Sequence, residues 1–121
     1  MRQSETLLHR TDDAVSVVGD PVAVYGSRTF TAAIHTSNLT GIVVIEAALA
    51  ADPQDHDWFP VVGPLVYPRA DTTETCVALG ISFTGRFSHI RARLYRPGFG
   101  DAQSTSGQLG YVDRVLLGRC S

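Results

Sequence analysis

The sequence predicts an all-β chain: a two-sheet antiparallel β-sandwich, Ig-like or jelly-roll-like, with about eight strands and an extended N-terminal arm. Three observations carry that expectation. Short apolar runs recur along the chain, separated by clusters of Gly, Pro, Asp and Ser, which is how strands and their turns read. Several runs alternate apolar with polar residues, the period of a strand with one buried face. No segment carries the apolar period of a long amphipathic helix.

Residues 1–13 are polar apart from Leu7 and Leu8, so they are expected to form an arm, with the sandwich domain spanning 14–121. Residues 14–18 read as a strand closed by Gly19-Asp20-Pro21, a turn cluster. A second run, 22–25, ends at Gly26-Ser27. In the next, 28–36, Phe30, Ala32 and Ile34 share one face, with Thr29, Thr31 and His35 on the other. Residues 40–49 are apolar on both faces, Ile42 and Val44 against Val43 and Ile45, as expected of a central or doubly covered strand. Its Ala-rich end is read as strand rather than helical turn, because Asp52-Pro53 follows.

Residues 58–62 make a short strand, and Pro60, Pro64 and Pro68 mark its surroundings as edge and irregular loop. Residues 76–83 put Val77, Leu79, Ile81 and Phe83 on one face. Residues 88–96 turn Ile90, Ala92 and Leu94 inward and Arg91, Arg93 and Tyr95 outward. The loop 97–109 is too long for a simple hairpin and has the length that goes with function. Residues 110–118 close the sandwich.

A chain of 121 residues supports one domain with one core. The formal charge of −2 provides no bulk field for nucleic acid. All 10 basic residues are arginine. Arginine makes bidentate contacts and stacks on aromatic rings, which suits interfaces, although a GC-rich genome produces the same bias. Two cysteines make neither a metal cluster nor a disulfide framework. Cys76 reads as a small core residue and Cys120 as exposed near the C-terminus, and a bond between them stays open. No run is long enough to span a membrane, and the first residues lack the apolar core of a signal peptide, so synthesis in a cytoplasm is expected.

Asp52, Asp55, His56 and Asp57 crowd into one loop, but their order does not match a calcium-binding loop, so a solvated acidic turn is expected. His9, His35, His56 and His89 have no metalloprotease spacing, and Ser88-His89 adjacency is no triad. No catalytic, metal or cofactor residue is assigned, and an enzyme is not expected. Gly98-Phe99-Gly100-Asp101 lacks the frame of a phosphate loop. Arg86, Arg91, Arg93 and Arg96 form the most basic stretch. It could be a solvated face, a protein interface or a nucleic-acid contact, and the overall acidity weighs against the last. Trp58, Phe59 and Tyr67 could make a sugar platform. The simpler expectation is that Trp58 plugs the core between the sheets.

The order of these motifs resembles a known group. Gly26-Ser27-Arg28-Thr29-Phe30 is followed by a Val43-x-Ile45-Glu46 strand, an acidic turn and Trp58-Phe59. Phe87-Ser88-His89-Ile90-Arg91-Ala92-Arg93-Leu94 then precedes Gly110-Tyr111-Val112-Asp113-Arg114-Val115-Leu116-Leu117. Over roughly residues 26–118 the chain resembles small β-sandwich structural proteins of tailed bacteriophages, including head decoration (cement) proteins and related tail or fibre modules. It departs from them at Asp55-His56-Asp57-Trp58, where they carry an Asp-Gly-x-x-Trp turn, and at Ala-rich 47–51.

The resemblance implies a non-enzymatic virion structural protein, without cofactor, made in the host bacterial cytoplasm and placed on the capsid surface. Its implied partners are the major capsid protein and copies of itself, with no membrane and no specific nucleic acid. The expected interface residues are Leu7 and Leu8 in the arm, Arg91 and Arg93 on the strand face, and Phe99 in the long loop. The alternative is a tail, fibre or head–tail connector module, with a glycan as possible ligand of Trp58, Phe59 and Tyr67.

Overall fold

Alternation along the strands builds two core faces, and the computed structural model, which describes residues 2–9, 16–67, 76–95 and 111–120, closes them on each other. The strands in chain order are β1 (Arg2–Leu8), β2 (Ser16–Val18), β3 (Val22–Ala23), β4 (Thr29–Ser37), β5 (Gly41–Ala48), β6 (Phe59–Tyr67), β7 (Cys76–Thr84), β8 (His89–Tyr95) and β9 (Tyr111–Cys120). One sheet has the order β1-β9-β4-β7. The other runs β2-β8-β5-β6, with β3 also on β8, and every pairing is antiparallel. The expected two-sheet sandwich is thus the observed one. Among the described residues no helix is long and apolar enough to cross a membrane.

The core sits between the central strands. Phe30, Ala32 and Ile34 of β4 and Val115 and Leu117 of β9 face Val43, Ile45 and Ala47 of β5 and Ile90, Ala92 and Leu94 of β8, all sealed from solvent. Each large apolar side chain sealed this way contributes about 1.5–3 kcal/mol. The inward residues of β4 and β8 are those the alternation picked out. β5 lies between β8 and β6, and Val44 and Ala48 on its outer face are buried too. That explains its doubly apolar sequence.

Three expectations are corrected. Residues 2–8 are not an arm but an edge strand, paired with β9 from Arg2 opposite Cys120 to Leu8 opposite Val115. A bulge between Thr6 and Leu8 breaks the alternation, so the consecutive leucines both go inside, Leu7 1% and Leu8 3% exposed. Neither is available as an interface residue. Arg119 fixes the strand further: it donates from Nη2 to Glu5 Oε1 at 3.0 Å and from Nη1 to the Ala23 carbonyl at 2.9 Å, joining β1, β9 and β3.

Second, Trp58 is not the core plug. It is half-exposed beside the outer face, and among the described residues Phe30 is the largest fully buried side chain, stacked on Phe83 with centroids 5.3 Å apart. Third, β6 runs on to Tyr67 through Pro60 and Pro64. An edge strand tolerates proline because one side needs no ladder hydrogen bonds, and two register shifts against β5 absorb the extra residues.

The topology gathers the turn at 25–28, the connection 49–58 and the connection 85–88 at one end of the sandwich. β4 and β8 begin there, and β5 and β7 end there.

Candidate functional site

Ser88 knits those three connections together. Its backbone N–H donates to the Ala48 carbonyl at 2.8 Å, and its carbonyl accepts from the Val24 N–H at 2.9 Å. Its hydroxyl lies 2.8 Å from the Ala48 carbonyl and 2.7 Å from the Ala50 carbonyl, with one proton to share between them. Gly85 N–H adds a bond to the Arg28 carbonyl at 3.0 Å. The loop end is therefore held by the backbone rather than by long side chains. His89 Nδ1 is 3.0 Å from Ser88 Oγ, but that hydroxyl is buried and turned to carbonyls, so the pair is scaffolding and not a poised nucleophile.

Beneath the loops lies an aromatic floor. Phe87 packs on Phe30 at 5.9 Å, on Phe59 at 6.1 Å and on Phe83 at 6.4 Å between centroids. Above it opens a cleft of about 350 Å³ lined by Tyr25, Arg28, Leu49, Arg86, Phe87 and Ser88 together with Gly26 and Ser27. Gly26 makes the tight turn beside Tyr25 with φ of 85°, a conformation open to glycine at little cost. Tyr25 and Leu49 stand out at the rim, 61% and 66% exposed. Tyr25 is braced edge-on against His89, with ring centroids 5.8 Å apart. Arg28 and Arg86 are exposed on the same cleft.

A rigid apolar floor, an exposed Tyr and Leu, and two arginines make a surface of the composition that protein interfaces favour. Sequence reading missed most of it. Arg86 stands out by its charge, and Gly26-Ser27-Arg28 and Phe87-Ser88 only as parts of separate motifs, whereas Tyr25 and Leu49 lie in different turns that no period along the chain connects.

The outer face of the five-stranded sheet holds the arginines that sequence did select. Arg91 Nε donates to Glu46 Oε1 at 2.8 Å, and Arg93 Nη1 lies 3.9 Å from Glu46 Oε2. The Arg91 guanidinium stacks 4.2 Å from the Trp58 ring centroid, and that of Arg93 is 5.2 Å from Tyr95. Both point outward as expected. Arg91, however, is spent on Glu46 and Trp58 within the chain, and Arg93 is the more open of the two. Phe99 lies outside the described residues.

The proposed sugar platform does not assemble. Tyr67 is buried at the far end of β6 from Phe59, and Arg91 covers Trp58. The acidic loop folds as a short 3₁₀ turn, Asp55–Asp57, in which Asp57 Oδ2 accepts from the Gln54 N–H at 2.7 Å. Among the described residues no three His, Cys, Asp or Glu side chains gather as metal ligands would. Comparison with protein-family models, curated proteins and solved structures finds no match.

Proposed function

We propose that this chain is a non-enzymatic structural protein of a phage virion, a decoration protein that docks on the outer head surface and braces contacts between major capsid protein subunits. The resemblance over residues 26–118 suggests the class of partner. The observation that carries the docking mode is the loop end, where exposed Tyr25 and Leu49 flank a cleft bearing Arg28 and Arg86. An adhesive subunit needs a surface that is set before contact, because a loop that orders on binding gives up about 1–2 kcal/mol per residue. The Ser88 hydrogen bonds supply that order in advance. The arginines would meet acidic groups of the capsid, which makes attachment salt-sensitive.

The test is co-sedimentation with purified expanded phage heads. Saturable binding, weakened about tenfold by Tyr25→Ala or Arg86→Glu in folded protein, is expected. Failure of the native chain to bind heads, with a stable ring or a binder of tail proteins in its place, would move the assignment to a tail or connector subunit.

A further inference from the structure

Among the described strands, three of the four sheet edges carry devices that discourage another strand from adding. β6 has Pro60, Pro64 and two register shifts. β1 carries a bulge and charged residues. The β2–β3 edge is broken by Gly19-Asp20-Pro21. β7 has none of these. It pairs with β4 over its whole length, from Thr84 opposite Thr29 to Cys76 opposite Ser37, without a register shift. It contains no proline and no charged residue.

Among the described residues no strand pairs with the outer side of β7. Half of its backbone N–H and C=O groups point that way. Its core-facing row, Val77, Leu79, Ile81 and Phe83, is only half-buried, whereas Phe30, Ala32 and Ile34 on the adjacent strand are sealed. Among the described residues, no strand covers either the backbone or the apolar row on that side.

We propose that β7 is where two copies of this chain join, antiparallel and edge to edge, merging two four-stranded sheets into one continuous sheet. The occupant is a second copy because the strand complements itself. Turned about Gly80, Leu79 of one copy faces Ile81 of the other, Val77 faces Phe83, Ala78 faces Ser82 and Gly80 faces itself. This register keeps both apolar rows on the core side, where each covers the other, and brings no charges together. The inference stands on the sheet edge alone and does not depend on the virion reading.

The test is cross-linking in a Cys76→Ser/Cys120→Ser background. A Cβ at Gly80 would meet nothing within 4 Å, so Gly80→Cys leaves the fold intact. Directly opposed residues have Cα atoms about 4.5–5.5 Å apart, within reach of a disulfide. Mild oxidation should therefore convert Gly80→Cys to a covalent dimer. Ala78→Cys should not link to itself but should link to Ser82→Cys in a mixture, and the native chain should sediment as a dimer. A native chain that stays monomeric at every concentration overturns the proposal. So does a dimer in which Gly80→Cys cross-links no better than Ala78→Cys alone.

Discussion

Glu46 on β5 and Arg91 on β8 face each other in register and close a hydrogen bond of 2.8 Å on the outer face of the sheet. The carboxylate is buried, and Trp58 caps the guanidinium from the other side. A charge in that position is tolerable only while paired. Arg91→Ala leaves Glu46 with the more distant Arg93, so it should cost about 2–4 kcal/mol. The double variant Glu46→Leu/Arg91→Met should recover most of the loss, because it removes both charges. Urea unfolding of the single and double variants decides this. A double variant as weak as Arg91→Ala would mean that packing under Trp58, and not the charge pair, sets the cost.

Gly19 sits where the β2–β3 connection passes against β1. A Cβ there would overlap the Leu7 carbonyl oxygen, a backbone atom with no rotamer to yield. Gly19 N–H also holds the Ala92 carbonyl at 2.9 Å, so the segment cannot drift away freely. Gly19→Ala should therefore destabilise the fold by more than about 2 kcal/mol. Gly80→Ala, with open space around its Cβ, should be neutral or slightly stabilising. The pair of thermal midpoints checks both expectations at once.

What the sequence made legible was what alternation encodes. The inward rows Phe30-Ala32-Ile34 and Ile90-Ala92-Leu94 follow from period alone, and the doubly covered β5 follows from an apolar run that lacks alternation. β1 escaped because its two leucines are adjacent, and only a bulge, which no local pattern announces, puts both inside. The full length of β6 escaped because Pro60 and Pro64 read as loop until the strand is known to be an edge. By its size Trp58 belongs in the core, whereas its ring serves as a lid on Arg91. The loop-end cleft was the least legible part. Its residues meet only through the sandwich topology, so no spacing along the chain joins Tyr25 to Leu49 or Arg28 to Arg86.

The burial of Leu7 changes what truncation should do. Removing residues 1–8 would strip two core leucines and the Glu5 partner of Arg119, and would open the edge of β9. The expected result is loss of cooperative folding rather than a folded sandwich with weaker attachment. Leu7→Ala alone should cost about 2–5 kcal/mol. Hydrogen exchange offers a second readout: amides of β1 should be protected with those of β9. Rapid exchange through β1 beside a protected β9 would restore the arm.

The two cysteines occupy opposite ends of the same sheet. Cys76 is registered against Ser37 and Cys120 against Thr29, the two ends of β4. At roughly 3.4 Å per residue those positions are separated by about 27 Å along the strand. A disulfide needs Cα atoms within about 7 Å, so the register forbids a Cys76–Cys120 bond inside one folded chain. Denatured without reductant, monomeric protein should take up two alkyl groups by mass spectrometry. Recovery of an unalkylated monomer that accepts both groups only after reduction would require a different pairing of β7 and β9 with β4.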